Sequence, residues 1–167
     1  MTNYIDETDF SKISFILMDM DGVLTDGSII YSSTGEQTKI FSAYDGYGIE
    51  RGHHKGLKFA IITGKNSDVN KFRAKRLKID ELYQGTEDKL TAYEEIKKKY
   101  NLGDESFCFI GDDVFDLPLL KKVSFSCAPV NAIKEVREQV DYVTEIEGGK
   151  GAVREVIDLI LKKKNLI

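Results

Sequence analysis

Only two cysteines occur in the chain, Cys108 and Cys127, and each sits in an apolar run, FCFI and FSCA. Two thiols so placed read as reduced, buried side chains and point to the cytoplasm. A phosphatase built on a cysteine nucleophile needs an arginine six positions on to close its phosphate loop. Those positions hold Val114 and Ile133, which excludes that chemistry. The two prolines leave no Pro-rich linker, and neither repeats nor low-complexity tracts interrupt the 167 residues, so one domain spanning residues 1–167 is expected. No apolar run approaches the ~20 residues of a membrane span, so no membrane partner is expected. The opening MTNYIDETDF is polar and acidic and predicts no signal peptide. A surplus of positive charge is also missing: 24 Lys and Arg against 28 Asp and Glu give a net charge of -4, with no basic face for nucleic acid.

Apolar runs alternate with helical patterns along the chain. Strands are predicted at residues 13–20, 58–63, 82–84, 106–110, 123–127 and 142–143. Helices are predicted at residues 46–55, 67–78, 88–100, 117–122, 132–139 and 152–163. Two short arms, residues 28–31 and 38–41, flank Ser33-Thr34-Gly35 and read as a hairpin. Strands alternating with helices predict an α/β fold around a parallel sheet. In such sheets ligands bind beyond the carboxyl ends of the strands, so the strand ends are where chemistry is expected.

Two of those ends are acidic. The run FILMDMDGVLTDG ends a buried strand in Asp19, Met20, Asp21 and Gly22. Residues two apart in an extended chain point to one side, so the two carboxylates converge, and Gly22 frees the backbone to turn. A second strand ends in FIGDDVFD, which supplies Asp112, Asp113 and Asp116. Either cluster alone is what a turn or a helix cap uses. Two, each following a buried strand, would repel one another unless a cation lay between them. Hard divalent ions take oxygen ligands, so Mg²⁺ is expected. Two further pieces fit a phosphate. Thr63-Gly64 ends the strand KFAIIT and offers a hydroxyl and backbone N–H groups. Lys89 opens a helix, where the dipole disfavours a cation, so its place asks for an anion nearby.

The order of these pieces, D-x-D-G-x-x-T-D, then a strand-end Thr, then a Lys, then G-D-D-x-x-D, resembles the haloacid dehalogenase superfamily of phosphotransferases. Nearly end to end, through ITGKNSDVNKFRAKRLKI, YQGTEDKL and GGKGAVREVIDLIL, the chain resembles the 3-deoxy-D-manno-octulosonate 8-phosphate (KDO 8-phosphate) phosphatases. Phosphatases of nine-carbon, sialic-acid-like sugar 9-phosphates look much the same. The resemblance implies a Rossmann-like sheet with helices on both faces, a hairpin flap at residues 28–42 and no large cap. It also implies a sugar-acid phosphate as substrate and a homotetramer whose subunits help close each other's sites.

Roles follow from the same resemblance. Asp19 is the nucleophile, and Asp21 the general acid and then base. Asp19, the backbone carbonyl of Asp21 and Asp112 hold Mg²⁺. Thr63, Gly64 and Lys89 bind the phosphoryl group, and Asp113 or Asp116 supports the metal and Lys89. Lys65, Arg73, Arg76 and Arg154 are the candidates for contacting the sugar. The Gly148–Gly151 loop is expected near the site, as a helix entry or as an anion-binding turn. Elementary chemistry agrees: a carboxylate attacks a dianionic phosphate only if cations cancel their repulsion. A neighbouring anion is expected to keep Asp21 protonated. The KDO 8-phosphate enzymes read T-G-R where this chain reads Thr63-Gly64-Lys65, so Lys65 keeps the charge without the bidentate fork. His53 and His54 read as surface or packing residues. A phosphoaspartate receiver domain also combines acids, Thr and Lys, but carries its acid pair first and its phosphorylated Asp on a later strand. No dinucleotide fingerprint or P-loop is complete, and the full set of acids, with Thr63 and Lys89, argues against a relative that only assembles.

Overall fold

The computed structural model describes residues 8–86 and 88–167; the first part of the segment that predicts no leader lies outside them. Six parallel strands form the main sheet: β1 (Phe15–Met18), β4 (Lys58–Thr63), β5 (Glu81–Gln84), β6 (Phe107–Ile110), β7 (Phe125–Ala128) and β8 (Tyr142–Val143). Their order is β5-β4-β1-β6-β7-β8. The chain winds from β1 to one side, then crosses back to add β6 on the other, which leaves a crevice beside the end of β1. β2 (Ile30–Tyr31) and β3 (Gln37–Thr38) form a separate antiparallel pair.

The strands carry apolar residues on both sides because both sides are covered. Ile16, Met18, Phe59, Ile61, Cys108 and Ile110 join a core with helices α1 (Ala43–His54), α2 (Asp68–Arg76) and α6 (Ala152–Lys163). Phe15, Leu17, Ala60, Ile62, Phe107 and Phe109 join a second core with α3 (Lys89–Tyr100), α4 (Leu117–Leu120) and α5 (Lys134–Arg137). Helices on both faces of a parallel α/β sheet are as the sequence predicts. Cys108 and Cys127 are free and buried on neighbouring strands.

Boundaries differ where side chains decide them. α1 begins at Ala43, three residues before the predicted start, because Ser42 accepts from the N–H groups of Tyr44 and Asp45 as its N-cap. Gly48 inside that helix has a packing reason: a Cβ there would stand 2.7 Å from Cδ of Arg154 on α6. The hairpin arms pair over two residues each instead of four, since Lys39 and Phe41 turn inward to the core. Asp113 caps an unpredicted single 3-10 turn, Val114–Asp116.

Candidate active site

Asp19 follows β1 directly, and its N–H still donates to the carbonyl of Ile110, so the ladder holds the residue in place. The side chain is buried, with Oδ1 accepting from the N–H of Met20 at 2.6 Å. Lys89, the first residue of α3 and itself buried, places Nζ 3.0 Å from Asp19 Oδ2 and 2.5 Å from Asp116 Oδ1. The acids at the sheet edge thus account for a lysine at a helix start. Asp116 Oδ2 accepts from the N–H groups of Asp112 (2.9 Å) and Asp113 (3.3 Å). Of the two candidates for supporting Lys89, Asp116 touches it, while Asp113 is spent on capping the turn.

Asp112 sits at the end of β6 with Oδ1 buried and unpartnered. Burial, and then the nearby carboxylates of Asp19 and Asp116, push its carboxyl up to about 8. Burial likewise pushes Asp19 up to about 6, against the pull of Lys89. Oxygens of Asp19, Asp112 and Asp116 lie within 4.8 Å of one another. An all-oxygen donor set with an orphaned buried carboxylate oxygen fits a hard divalent cation. Gly22, at φ 87°, is required at this edge: a Cβ would lie 2.0 Å from Asp112 Oδ2.

A concavity of about 410 Å³ opens over these groups, lined by Asp19, Asp21, Thr63, Gly64 and Lys65 from the strand ends and Ile29, Tyr31 and Gln37 from the hairpin. A larger one, about 650 Å³, lies between α1 and α2 and holds Arg73 and Arg76 but none of the acids. Chemistry and not size marks the first as the site. Within one copy of the chain, Arg73 and Arg76 are therefore not brought to the acids: Arg73 donates to the carbonyl of Ser42 and stacks on Phe41. Arg154 also stands apart, paired with Asp158 and lying over Tyr47.

The Gly148–Gly151 loop lies behind the turn that follows Asp21. A Cβ on Gly148 would stand 1.9 Å from the carbonyl oxygen of Gly22. Its N–H groups are already used: Gly148 donates to Asn131 and Gly149 to the carbonyl of Val23. The start of α6 is capped from α1 by Asp45, fully buried, which accepts from the N–H of Arg154 at 2.9 Å. Burial pushes the Asp45 carboxyl up to about 6 despite those hydrogen bonds. The anion-binding reading of the loop is thus corrected to helix entry and packing.

The surroundings of Asp21 add a residue that the sequence did not name. Lys39 Nζ lies 2.6 Å and 2.9 Å from the two carboxylate oxygens of Asp21, and 3.0 Å from Asn70 Oδ1. Sequence reasoning missed Lys39 because a lysine beside a hairpin strand reads as a solvated side chain. No short-range signal marks it.

The comparisons agree with the geometry. Residues 66–157 match the family model described as haloacid dehalogenase-like hydrolase. The 3-deoxy-D-manno-octulosonate 8-phosphate phosphatase of Escherichia coli K12 is 41% identical over 150 residues, 90% of this chain and 80% of its own length. The like-named phosphatase of Moraxella catarrhalis, solved with a magnesium ion, a phosphate ion and a KDO molecule, superposes with a TM-score of 0.92 at 41% identity. It covers 99% of this chain and 94% of its own. A cobalt-bound relative from Haemophilus influenzae gives 0.90 at 35% identity, covering 93% and 91%. The chain belongs to the haloacid dehalogenase-like hydrolases. Within them it is similar in sequence and fold to phosphatases named for KDO 8-phosphate.

Proposed function

We propose that the chain is a Mg²⁺-dependent phosphatase that hydrolyses a sugar-acid monophosphate, KDO 8-phosphate, through an aspartyl-phosphate. The observation that carries this is Asp19, buried at the centre of the sheet edge, 3.0 Å from Lys89 and open to the cavity that Asp21 and Thr63 share. Relatives of the same fold bear that substrate's name or hold its product, magnesium and phosphate.

Asp19 attacks phosphorus, the Asp19–phosphorus bond forms and the bond to the sugar oxygen breaks. Asp21 gives its proton to that leaving oxygen. It then takes a proton from a water whose oxygen attacks phosphorus, and the Asp19–phosphorus bond breaks. Thr63, the Gly64 backbone and Lys89 hold the phosphoryl oxygens, while Asp116 holds Lys89. Asp19, the Asp21 carbonyl and Asp112 would hold the cation, with Asp113 and Asp116 behind them. The bound ion supplies charge neutralisation between nucleophile and phosphate.

A nine-carbon sugar-acid 9-phosphate remains the second reading, because Lys65, in place of the arginine of the KDO 8-phosphate enzymes, lines the cavity. The chain is read as one unit, with residues 28–42 as the flap over the site. Tyr31, Ile40, Tyr44, Tyr47 and Phe72, each more than half exposed, support self-association; a homotetramer acting in the cytoplasm is the form we propose for it. Arg73, Arg76 and Arg154, which do not reach the acids of their own copy, are the candidates to reach a neighbour's sugar. Among the described residues no helix is long and apolar enough to cross a membrane. Phosphate release from the two sugar-acid phosphates side by side tests the substrate. Asp19→Asn should abolish turnover with the fold intact, and retained activity would remove the nucleophile from this account.

A further inference from the structure

The two acids of the DxD pair are held by different lysines. Lys89 takes Asp19 and Asp116 inside the sheet edge; Lys39 takes Asp21 at the mouth. An ammonium has three N–H donors, and Lys39 aims them at both oxygens of Asp21 and at Asn70 Oδ1, at 2.6, 2.9 and 3.0 Å. Its side chain is fully buried, whereas that of Asp21 is 26% exposed. A four-carbon stem with a buried charge is costly to order unless every donor is met. The arrangement at Lys39 is therefore specific and not a surface pair of little consequence.

The tie also links three elements. Lys39 follows β3 in the hairpin, and Asn70 lies on α2, fully buried. Asn70 Nδ2 donates to the carbonyl of Lys65, in the loop that continues from Thr63 and Gly64. The hairpin, the Asp21 carboxylate and the phosphate-side loop thus share one hydrogen-bonded chain. Without Lys39 the Asp21 side chain loses its only ion-pair partner among the described residues and is free to leave its rotamer.

We propose that Lys39 is a positioning residue for Asp21, holding that carboxylate where it meets the leaving oxygen and then the hydrolytic water. The inference rests on the reading of Asp21 as acid and base. It requires that loss of Lys39 hurt the steps in which Asp21 moves a proton and spare the one in which it does not. Attack on an aryl phosphate needs no acid, since nitrophenolate leaves unaided. The sugar phosphate needs the acid in the first step, and both substrates need the base in the second.

The test compares KDO 8-phosphate with p-nitrophenyl phosphate on the full chain. Lys39→Met should lower kcat/KM for the sugar phosphate by roughly 10- to 100-fold, less than the roughly 100- to 10,000-fold that general acid catalysis contributes because the acid itself remains, while leaving that for the aryl phosphate within about threefold. With the aryl phosphate it should also show a burst of nitrophenolate before a slow steady state, because the phosphoenzyme waits for its base. Asn70→Ala, which keeps both members of the ion pair, should show the same pattern more weakly, and it decides the matter if Lys39→Met does not fold. Equal losses on both substrates without a burst, or no loss in either variant, would overturn the proposal. A wild type inert toward both substrates, or an Asp21→Asn variant without the same substrate dependence, would instead overturn the acid–base reading on which it rests.

Discussion

Lys89 has two buried carboxylates on one ammonium, and each contact is made in a place water barely reaches. Lys89→Met leaves Asp19 and Asp116 buried without their cation, and breaking such a pair typically costs about 3–5 kcal/mol. Urea unfolding in the absence of Mg²⁺ should show that loss, and added Mg²⁺ should recover part of it. Asp45 acts at the same scale but in the opposite electrostatic sense. Its folded carboxyl sits near 6, above the ordinary 3.8, because burial outweighs its hydrogen bonds. As pH rises from about 4 to about 6 the unfolded chain releases this proton while the folded chain keeps it. The folded state then binds more protons, so this group lowers stability across that window and adds nothing further above it. Asp45→Asn removes the titration, and the fall in stability between about pH 4.5 and 7.5 should shrink by up to about 2 kcal/mol. An unchanged pH profile in equilibrium unfolding would assign the effect elsewhere.

Among the elements, the turn after Asp21 and the loop before α6 are packed backbone to backbone. Gly148→Ala would place a methyl within 1.9 Å of the Gly22 carbonyl oxygen, and neither backbone can yield cheaply. The expected outcome is a loss of about 1–3 kcal/mol or more, as for other overpacked sites, with activity falling too because Gly22 borders Asp112. Thermal unfolding and phosphate release on one preparation check both. This scale is also where the sequence was least legible. The acidic strand ends could be read because two periods, strand alternation and the spacing of carboxylates, converge on them. The start of α1 could not, since Gly46, Gly48 and Gly52 weaken a helical pattern. Only distant partners explain them: Gly48 lets α6 approach, 109 positions away at the Asp45–Arg154 bond, Gly52 clears Phe59 of β4, and Gly46 faces Arg73 and Leu77. The hairpin arms were read too long because alternation alone cannot say that Lys39 turns inward.

For the whole molecule, a sheet covered on both faces keeps chemistry to its ends, and the acids that fit a cation lie together at the carboxyl end. Without that ion, Asp112 titrates near 8 and Asp19 near 6 because burial and mutual repulsion favour their protonated forms. A divalent cation must displace those protons, so Mg²⁺ should bind more tightly, and raise the melting temperature more, at about pH 8 than at about pH 6. Calorimetry in buffers of different ionisation heat should detect the released protons; binding independent of pH would contradict the shifted carboxylates. Light scattering across a dilution series should find an assembly larger than one chain. Substitution of Tyr44 and Phe72 by Ser should weaken it, as both are largely exposed apolar rings.

The sequence by itself determined the alternation that yields a parallel sheet and the buried strands that end in acids. It also placed a threonine and a lysine where a phosphate would need them, because these are local patterns of period and spacing. Only the tertiary structure decided that Asp116 and not Asp113 holds Lys89, that Lys39 faces Asp21, and that the glycine loop packs instead of binding an anion. Each of those is a contact between segments far apart in the chain. Its partner is chosen by burial and by the need to satisfy every buried charge and backbone group, which no short window of sequence contains.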